Sequence, residues 1–288
     1  MNAYLKLLRP QQWIKNLFVF IPAFFAGKVW LLIESPKLIL TFIAFCLIAS
    51  AVYIFNDLRD LEYDRLHALK RQRPLATGAV PVRNAVALMI ILAIASILIA
   101  FYISNNIPLI IGGYAVLNLI YSLGLKHFSL IDISFISIGF VLRVLAGGMA
   151  IDVTVSKWLV MMTFLLASCL ALGKRRDDLL LDIEKEDLRP ALKGYTLGFI
   201  DTCLVVLGVA TIVCYIMYTV SEEVVQRLHS DNIYLTSVFV ILGMLRFLQI
   251  AMVEENSGSP TDILLRDRFI QILIGLWLAS FAFIIYVL

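Results

Sequence analysis

The chain is patterned in long apolar blocks rather than in short alternations. Apolar runs close to the ~20 residues that cross a bilayer recur from end to end, at about 17–33, 38–55, 84–103, 108–122, 129–149, 157–172, 199–220, 234–253 and 269–288. None shows the ten-residue alternating segments of a membrane β-barrel. The pattern predicts an all-α polytopic membrane protein: about nine transmembrane helices bundled around a polar cavity, in one integral-membrane domain over residues 1–288. Two polar stretches, about 56–83 and 173–198, break the rhythm. Each opens at the end of an apolar run, so a charged cluster is expected to continue the second and the sixth helix.

Composition agrees with a membrane protein. Hydrophobic residues make up 61% and charged residues 16%, against roughly a quarter charged in soluble domains. Cations set the expected orientation. Eighteen of the 24 Lys and Arg fall in the N-terminus and the 56–83, 123–128, 173–198 and 254–268 connections, whereas only Lys28, Lys37, Lys157 and Arg227 fall on the opposite side. The N-terminus, the polar stretches and the cavity are thus expected to face the cytoplasm of an inner or plasma membrane, and the C-terminus the outside. Signal-peptide cleavage is not expected, because Pro22 and four aromatics (Phe18, Phe20, Phe24, Phe25) suit a signal core poorly. Cys46, Cys169, Cys203 and Cys214 lie in apolar runs without C-x-x-C spacing and read as packing residues. His67, His127 and His229 are scattered and suggest no histidine metal site.

The candidate chemistry begins in "NDLRDLEYD", residues 56–64. At about 100° per residue, Asp57, Asp60 and Asp64 fall within roughly 60° of one another, and Glu62 points about 140° away from Asp57. Three carboxylates on one stripe repel unless cations answer them, and oxygen ligands of this kind suit Mg2+ or Mn2+ with substrate phosphates completing the shell. The following "KRQRP" supplies Lys70, Arg71 and Arg73, which serve either as topology signals or as donors to phosphate. "GKRRDDL" repeats the theme with Lys174 and Arg175 beside Asp177 and Asp178, and Lys126 follows the fourth apolar run. Arg143 stands mid-run in "GFVLRVLAGG", where ionisable groups are costly and usually functional. A polar cavity or a carboxylate partner is expected there, while Arg246 lies near enough to the end of its run to snorkel. Trp13 in "RPQQWIKNLFVF" reads as a headgroup anchor.

"NDLRDLEYD" matches the N-D-x-x-D-x-x-x-D signature of the UbiA-like intramembrane prenyltransferase superfamily. "RPQQWIKNLFVF", "KRQRPLATG", "YSLGLKH" followed by "DI" (132–133) and "GFVLRVLAGG", and "GKRRDDL" resemble its decaprenyl-phosphate phosphoribosyltransferase branch over about residues 1–200. The superfamily's aromatic prenyltransferases carry a second D-x-x-x-D after the sixth helix. Here Lys174-Arg175 stands there, with Asp178 where the branch usually has Glu.

The resemblance implies transfer of 5-phosphoribose from 5-phosphoribosyl 1-pyrophosphate to a polyprenyl (decaprenyl-type) phosphate, for an arabinose donor of the cell envelope or of a glycan. Asp57, Asp60 and Asp64 would hold Mg2+, or Mn2+ as an alternative, with Lys174 and Arg175 completing the catalytic set. Asn56, Lys15, Lys70, Arg71, Arg73, Tyr121, Lys126, Arg143 and Asp178 would contact substrates, without a division of phosphates among the cations. Relatives imply a homo-oligomer, and no nucleic-acid partner is expected. Two other readings stay open: prenyl transfer from a polyprenyl pyrophosphate to an aromatic acceptor, and a transporter without turnover.

Overall fold

The computed structural model describes residues 3–28, 30–66, 70–183, 190–254, 263–264 and 266–287. Among these the regular structure is entirely helical. The N-terminal part holds α1 (Ala3–Leu8), a 3-10 helix (Pro10–Phe20), α2 (Ile21–Phe25) and α3 (Leu31–Glu34). Then follow α4 (Pro36–Arg59), α5 (Leu61–Leu66), α6 (Val82–Ile103), α7 (Ile107–Leu123), α8 (Ile131–Ala150) and α9 (Lys157–Ile183). The last are α10 (Leu197–Val220), α11 (Glu222–Leu228), α12 (Ser237–Met252) and α13 (Arg268–Tyr286). His67, most of the 254–268 connection and part of the 173–198 stretch lie outside the described residues.

Among the described residues seven helices are long and apolar enough to cross a bilayer, and α7 is apolar but shorter. The run expected at 17–33 is not one helix. Pro22 denies it a backbone donor, and Gly27 takes a left-handed conformation (φ 65°) just after α2. The expected sixth helix does continue through its charged cluster, since α9 carries Lys174 to Asp178 within its length. Large apolar side chains stand exposed along these helices, among them Leu98, Phe101 and Leu109. Water would oppose that surface, whereas lipid tails accept it.

Packing divides the chain into two compact units, Met1–Leu123 with Leu142–Thr154, and Gly124–Val141 with Val155–Leu288. In the first, Leu38, Phe45, Ile107, Ile111 and Ala146 form a buried core with Val19 of the 3-10 helix. Ser96 turns its hydroxyl inward to the Ala44 carbonyl at 2.8 Å, tying α6 to α4. Gly147 lets the 3-10 helix approach α8, because a Cβ there would run into the Val19 carbonyl. A smaller cluster of Leu7, Ile54, Leu75, Val80 and Ala85 anchors the polar stretch after α5. In the second unit Ile133, Cys169, Leu172, Leu204 and Phe247 form the core. Thr196 caps α10 by accepting from Phe199 N at 3.2 Å.

Candidate active site

The first constellation forms where α4 runs out. Asp57 lies roughly 30 Å along the helix axis from Pro36, about the thickness of the bilayer core. The helix ends at Arg59, and Asp60 takes φ −91° and ψ 10° before α5 begins. Backbone bonds nevertheless bridge the joint, from Asp60 N to Asn56 O at 3.0 Å and from Asp64 N to Asp60 O at 2.8 Å. Helical phase therefore survives. Asp57 and Asp64 are 2% and 1% exposed, Asp60 is half-buried, and Glu62 faces out as its phase predicts.

One guanidinium nitrogen joins the two buried acids. Arg73 Nη1 donates to Asp57 Oδ1 at 3.0 Å and to Asp64 Oδ2 at 2.6 Å. Arg9 also pairs with Asp57, and its guanidinium lies over the Tyr53 ring at 5.1 Å. Arg9 holds a left-handed backbone (φ 51°) just before Pro10, a costly conformation of the kind retained where a side chain must be aimed. Asp64 Oδ1 is buried and has no hydrogen-bond partner. Among the described residues no three Asp, Glu, His or Cys side chains converge as a metal site. The converging group is the Asp57–Asp64 pair, with an oxygen left open.

Around this pair the first unit places other predicted residues. Asn56 accepts a hydrogen bond from Ser122, next to Tyr121 at the end of α7. Arg143 is 5% exposed and has the polar surroundings its position demands. Its Nε donates to Asn16 Oδ1 at 2.7 Å and its Nη2 to the Tyr114 hydroxyl at 2.9 Å, with the Tyr114 and Phe45 rings under the cation. Lys15 is half-buried beside Asn16. Burial, and then the charges of Arg143 and Arg9, lower its ammonium to about 8. Lys70 lies over the Tyr63 ring at 5.9 Å, and Arg71 is exposed. Trp13 is engaged within the protein, its indole donating to Ser50 Oγ at 3.1 Å, where the sequence suggested a headgroup anchor.

The second unit has its own constellation. Arg175 Nε donates to Asp132 Oδ2 at 2.6 Å and its Nη1 to Asp178 Oδ2 at 2.9 Å. The Tyr195 hydroxyl donates to Asp132 Oδ1 at 3.1 Å and accepts from Leu130 N at 2.7 Å. Burial pushes that phenol well above its usual range. Arg176 is buried, with Nε on Asp201 at 2.7 Å and Nη1 without a partner. Lys174 is exposed and Lys126 half-buried in a 3-10 turn, Leu125–His127. Arg246 does not simply snorkel: it reaches Gln249 at 2.8 Å, Glu254 at 2.6 Å and Asp267 at 2.7 Å.

Sequence reasoning assigned no role in the site to Arg9, Asn16, Tyr114, Asp132, Tyr195 and Arg176. Arg9 and Asn16 sit inside the quoted "RPQQWIKN", so that motif was the signal. Asp132 stands in the "DI" quoted between "YSLGLKH" and "GFVLRVLAGG", and Arg176 inside "GKRRDDL", but the partners of both lie elsewhere in the chain.

Residues 17–185 match the UbiA prenyltransferase family. A decaprenyl-phosphate phosphoribosyltransferase of Mycolicibacterium smegmatis is 32% identical over 99% of this chain and 93% of its own length. The protein of that name in Mycobacterium tuberculosis is 31% identical over 96% of this chain and 91% of its own. A solved structure of a UbiA homolog from Archaeoglobus fulgidus, bound to DMAPP and Mg2+, covers 99% of this chain and 100% of that chain, with a TM-score of 0.73 at 22% identity. Apolar helices, signature acids and these likenesses agree: the chain is a multi-pass membrane protein and belongs to the UbiA prenyltransferase family.

Proposed function

We propose that this protein transfers 5-phosphoribose from 5-phosphoribosyl 1-pyrophosphate to a polyprenyl phosphate and releases pyrophosphate. Near-full-length similarity to decaprenyl-phosphate phosphoribosyltransferases supports the reaction. The observation that carries it at the site is the pair of buried carboxylates bridged by Arg73, with Asp64 Oδ1 open. Buried acids answered by cations at the end of a membrane helix suit an anionic, cation-dependent substrate better than they suit packing.

The residues fit a divalent cation. Magnesium needs only one or two carboxylates when substrate phosphates and waters complete its shell, and Asp57 and Asp64 supply two. Asp60, half-buried between them in sequence, stays the third candidate ligand. When bound, such a cation would neutralise charge on the departing pyrophosphate. Arg73, Lys70 and Arg71 are assigned to donor phosphate oxygens. Lys15 and Arg143 offer positive charge to a second phosphate, with Asn16 and Tyr114 orienting Arg143. Lys174, Arg175 and Lys126 are retained as phosphate-binding candidates on their motifs, and Asp178, paired with Arg175, as a substrate-contacting candidate. The lipid phosphate is already ionised at neutral pH, so the attack on the ribose carbon needs no general base, and positioning and charge carry the rate. The cation-rich connections are assigned to the cytoplasmic side.

Purified protein given labelled phosphoribosyl pyrophosphate and a polyprenyl phosphate should form labelled lipid, and EDTA should abolish it. Prenylation of an aromatic acid from a polyprenyl pyrophosphate, without ribose transfer, would overturn the assignment.

A further inference from the structure

Two buried carboxylates held by one guanidinium nitrogen already form a cation site, with an arginine as the cation. Arg73 Nη1 lies 3.0 Å from Asp57 and 2.6 Å from Asp64, so a single positive point bridges both acids. An arginine kept for structure alone gains most by presenting its two-pronged face to one carboxylate. Bridging through one atom is what a metal ion does.

We propose that Arg73 is a displaceable counter-ion. Its side chain holds Asp57 and Asp64 together, yields both to a divalent cation, and turns to the phosphate oxygens of the donor. The inference rests on reading Asp57 and Asp64 as a cation site.

Exposure sets which partner moves. The acids' side chains are 2% exposed, while that of Arg73 is 28% exposed. The guanidinium can reach solvent without uncovering the carboxylates. Asp64 Oδ1 marks what the arginine leaves unfinished, a buried acceptor without a donor, which is costly unless a ligand fills it. The backbone, by contrast, is pinned. Arg73 N donates to Lys70 O at 2.9 Å, Thr77 N to Arg73 O at 3.0 Å and Val80 N to Pro74 O at 3.2 Å. Leu75 and Val80, 2% and 1% exposed, plug this turn into the core. Exchange therefore takes a side-chain rotation and no rearrangement of the loop.

Charge gives the exchange its direction. With Arg9 and Arg73 in place, the two carboxylates are neutralised and the cluster has no net pull on an anion. With a divalent cation between the acids, Arg9 still on Asp57 and Arg73 released nearby, the cluster is net positive. The donor is thus expected to bind after the cation and to meet Arg73 already turned outward.

Mn2+ titration followed by electron paramagnetic resonance, without substrate, tests the competition. Arg73→Gln should bind Mn2+ about tenfold more tightly than wild type, and at saturating Mn2+ should bind phosphoribosyl pyrophosphate about tenfold more weakly, each about 1.4 kcal/mol. Equal Mn2+ affinities would overturn the inference and leave the cation site standing. Failure of wild type and variant alike to bind Mn2+, or binding that Asp57→Asn and Asp64→Asn leave untouched, would overturn the cation site and the inference with it. Should Arg73→Gln not fold, wild type answers alone. Phenylglyoxal modification of Arg73, read by peptide mass spectrometry, should quicken with Mg2+ and slow again when donor is added. A rate indifferent to Mg2+ would count against displacement.

Discussion

The Asp57–Asp64 and Asp132–Arg175 constellations both join buried acids to arginines and differ in how completely the acids are satisfied. In the second unit Asp132 is fully buried and both of its oxygens are taken, by Arg175 and by Tyr195, while Arg175, 13% exposed, also reaches Asp178. In the first, Asp57 and Asp64 are equally hidden, yet Arg9 and Arg73 are 27% and 28% exposed and Asp64 keeps an oxygen without a donor. A closed network of buried charge holds structure in place. An open one, buried on its acidic side and partly exposed on its basic side, is arranged to take something more. On the proposed function, Asp132 positions Arg175, whereas Asp57 and Asp64 receive the divalent cation.

That contrast can be broken most severely at Asp132. Removing one member of a buried ion pair costs roughly 3–5 kcal/mol, so Asp132→Ala should lower the thermal midpoint in detergent sharply. A stable Asp132→Ala protein would mean that the second constellation is not structural. Next in size come Asp57→Asn and Asp64→Asn. Each should reduce phosphoribosyl transfer by about 10²–10³-fold, the scale of a lost electrostatic stabiliser, while leaving the melting temperature close to wild type. Melting as depressed as that of Asp132→Ala would erase the distinction.

Gly147→Ala probes the scaffold beneath the open cluster. Its added methyl meets the Val19 carbonyl, and overpacking of this kind costs about 1–3 kcal/mol. The displaced 3-10 helix should loosen Asn16 from Arg143, so donor or acceptor KM should rise along with the fall in stability. The smallest effect concerns Lys15. Its folded value of about 8 lies below the ~10.4 of an unfolded lysine, so the unfolded chain binds more protons between those values. Stability should rise as pH climbs from about 8 to about 10.4, and Lys15→Met should flatten that slope in melting curves taken across the window.

Much of this was legible from residues alone. The apolar runs located the long helices, and phasing "NDLRDLEYD" hid Asp57 and Asp64 while turning Glu62 outward. The run at 17–33 misled because hydropathy does not register a proline such as Pro22, and the structure divides it among the end of a 3-10 helix and the short helices α2 and α3. Arg143 announced itself as buried charge, but its partner could not be read. Asn16 lies 127 residues away and was hidden in a motif noted for other residues.

Sequence alone determined the membrane class, the family signature and the phase that hides Asp57 and Asp64 while turning Glu62 outward, because these follow from composition, spacing and the helical period, all local properties of the chain. Tertiary structure decided which cation answers which acid: Arg73 and Arg9 for Asp57, Arg175 for Asp132, an amide and a phenol for Arg143. It also decided which network closes and which stays open. Pairings of that kind depend on how distant segments pack, on a glycine that lets one backbone touch another and a tight turn that fixes an arginine's base, and no periodicity along the chain encodes them.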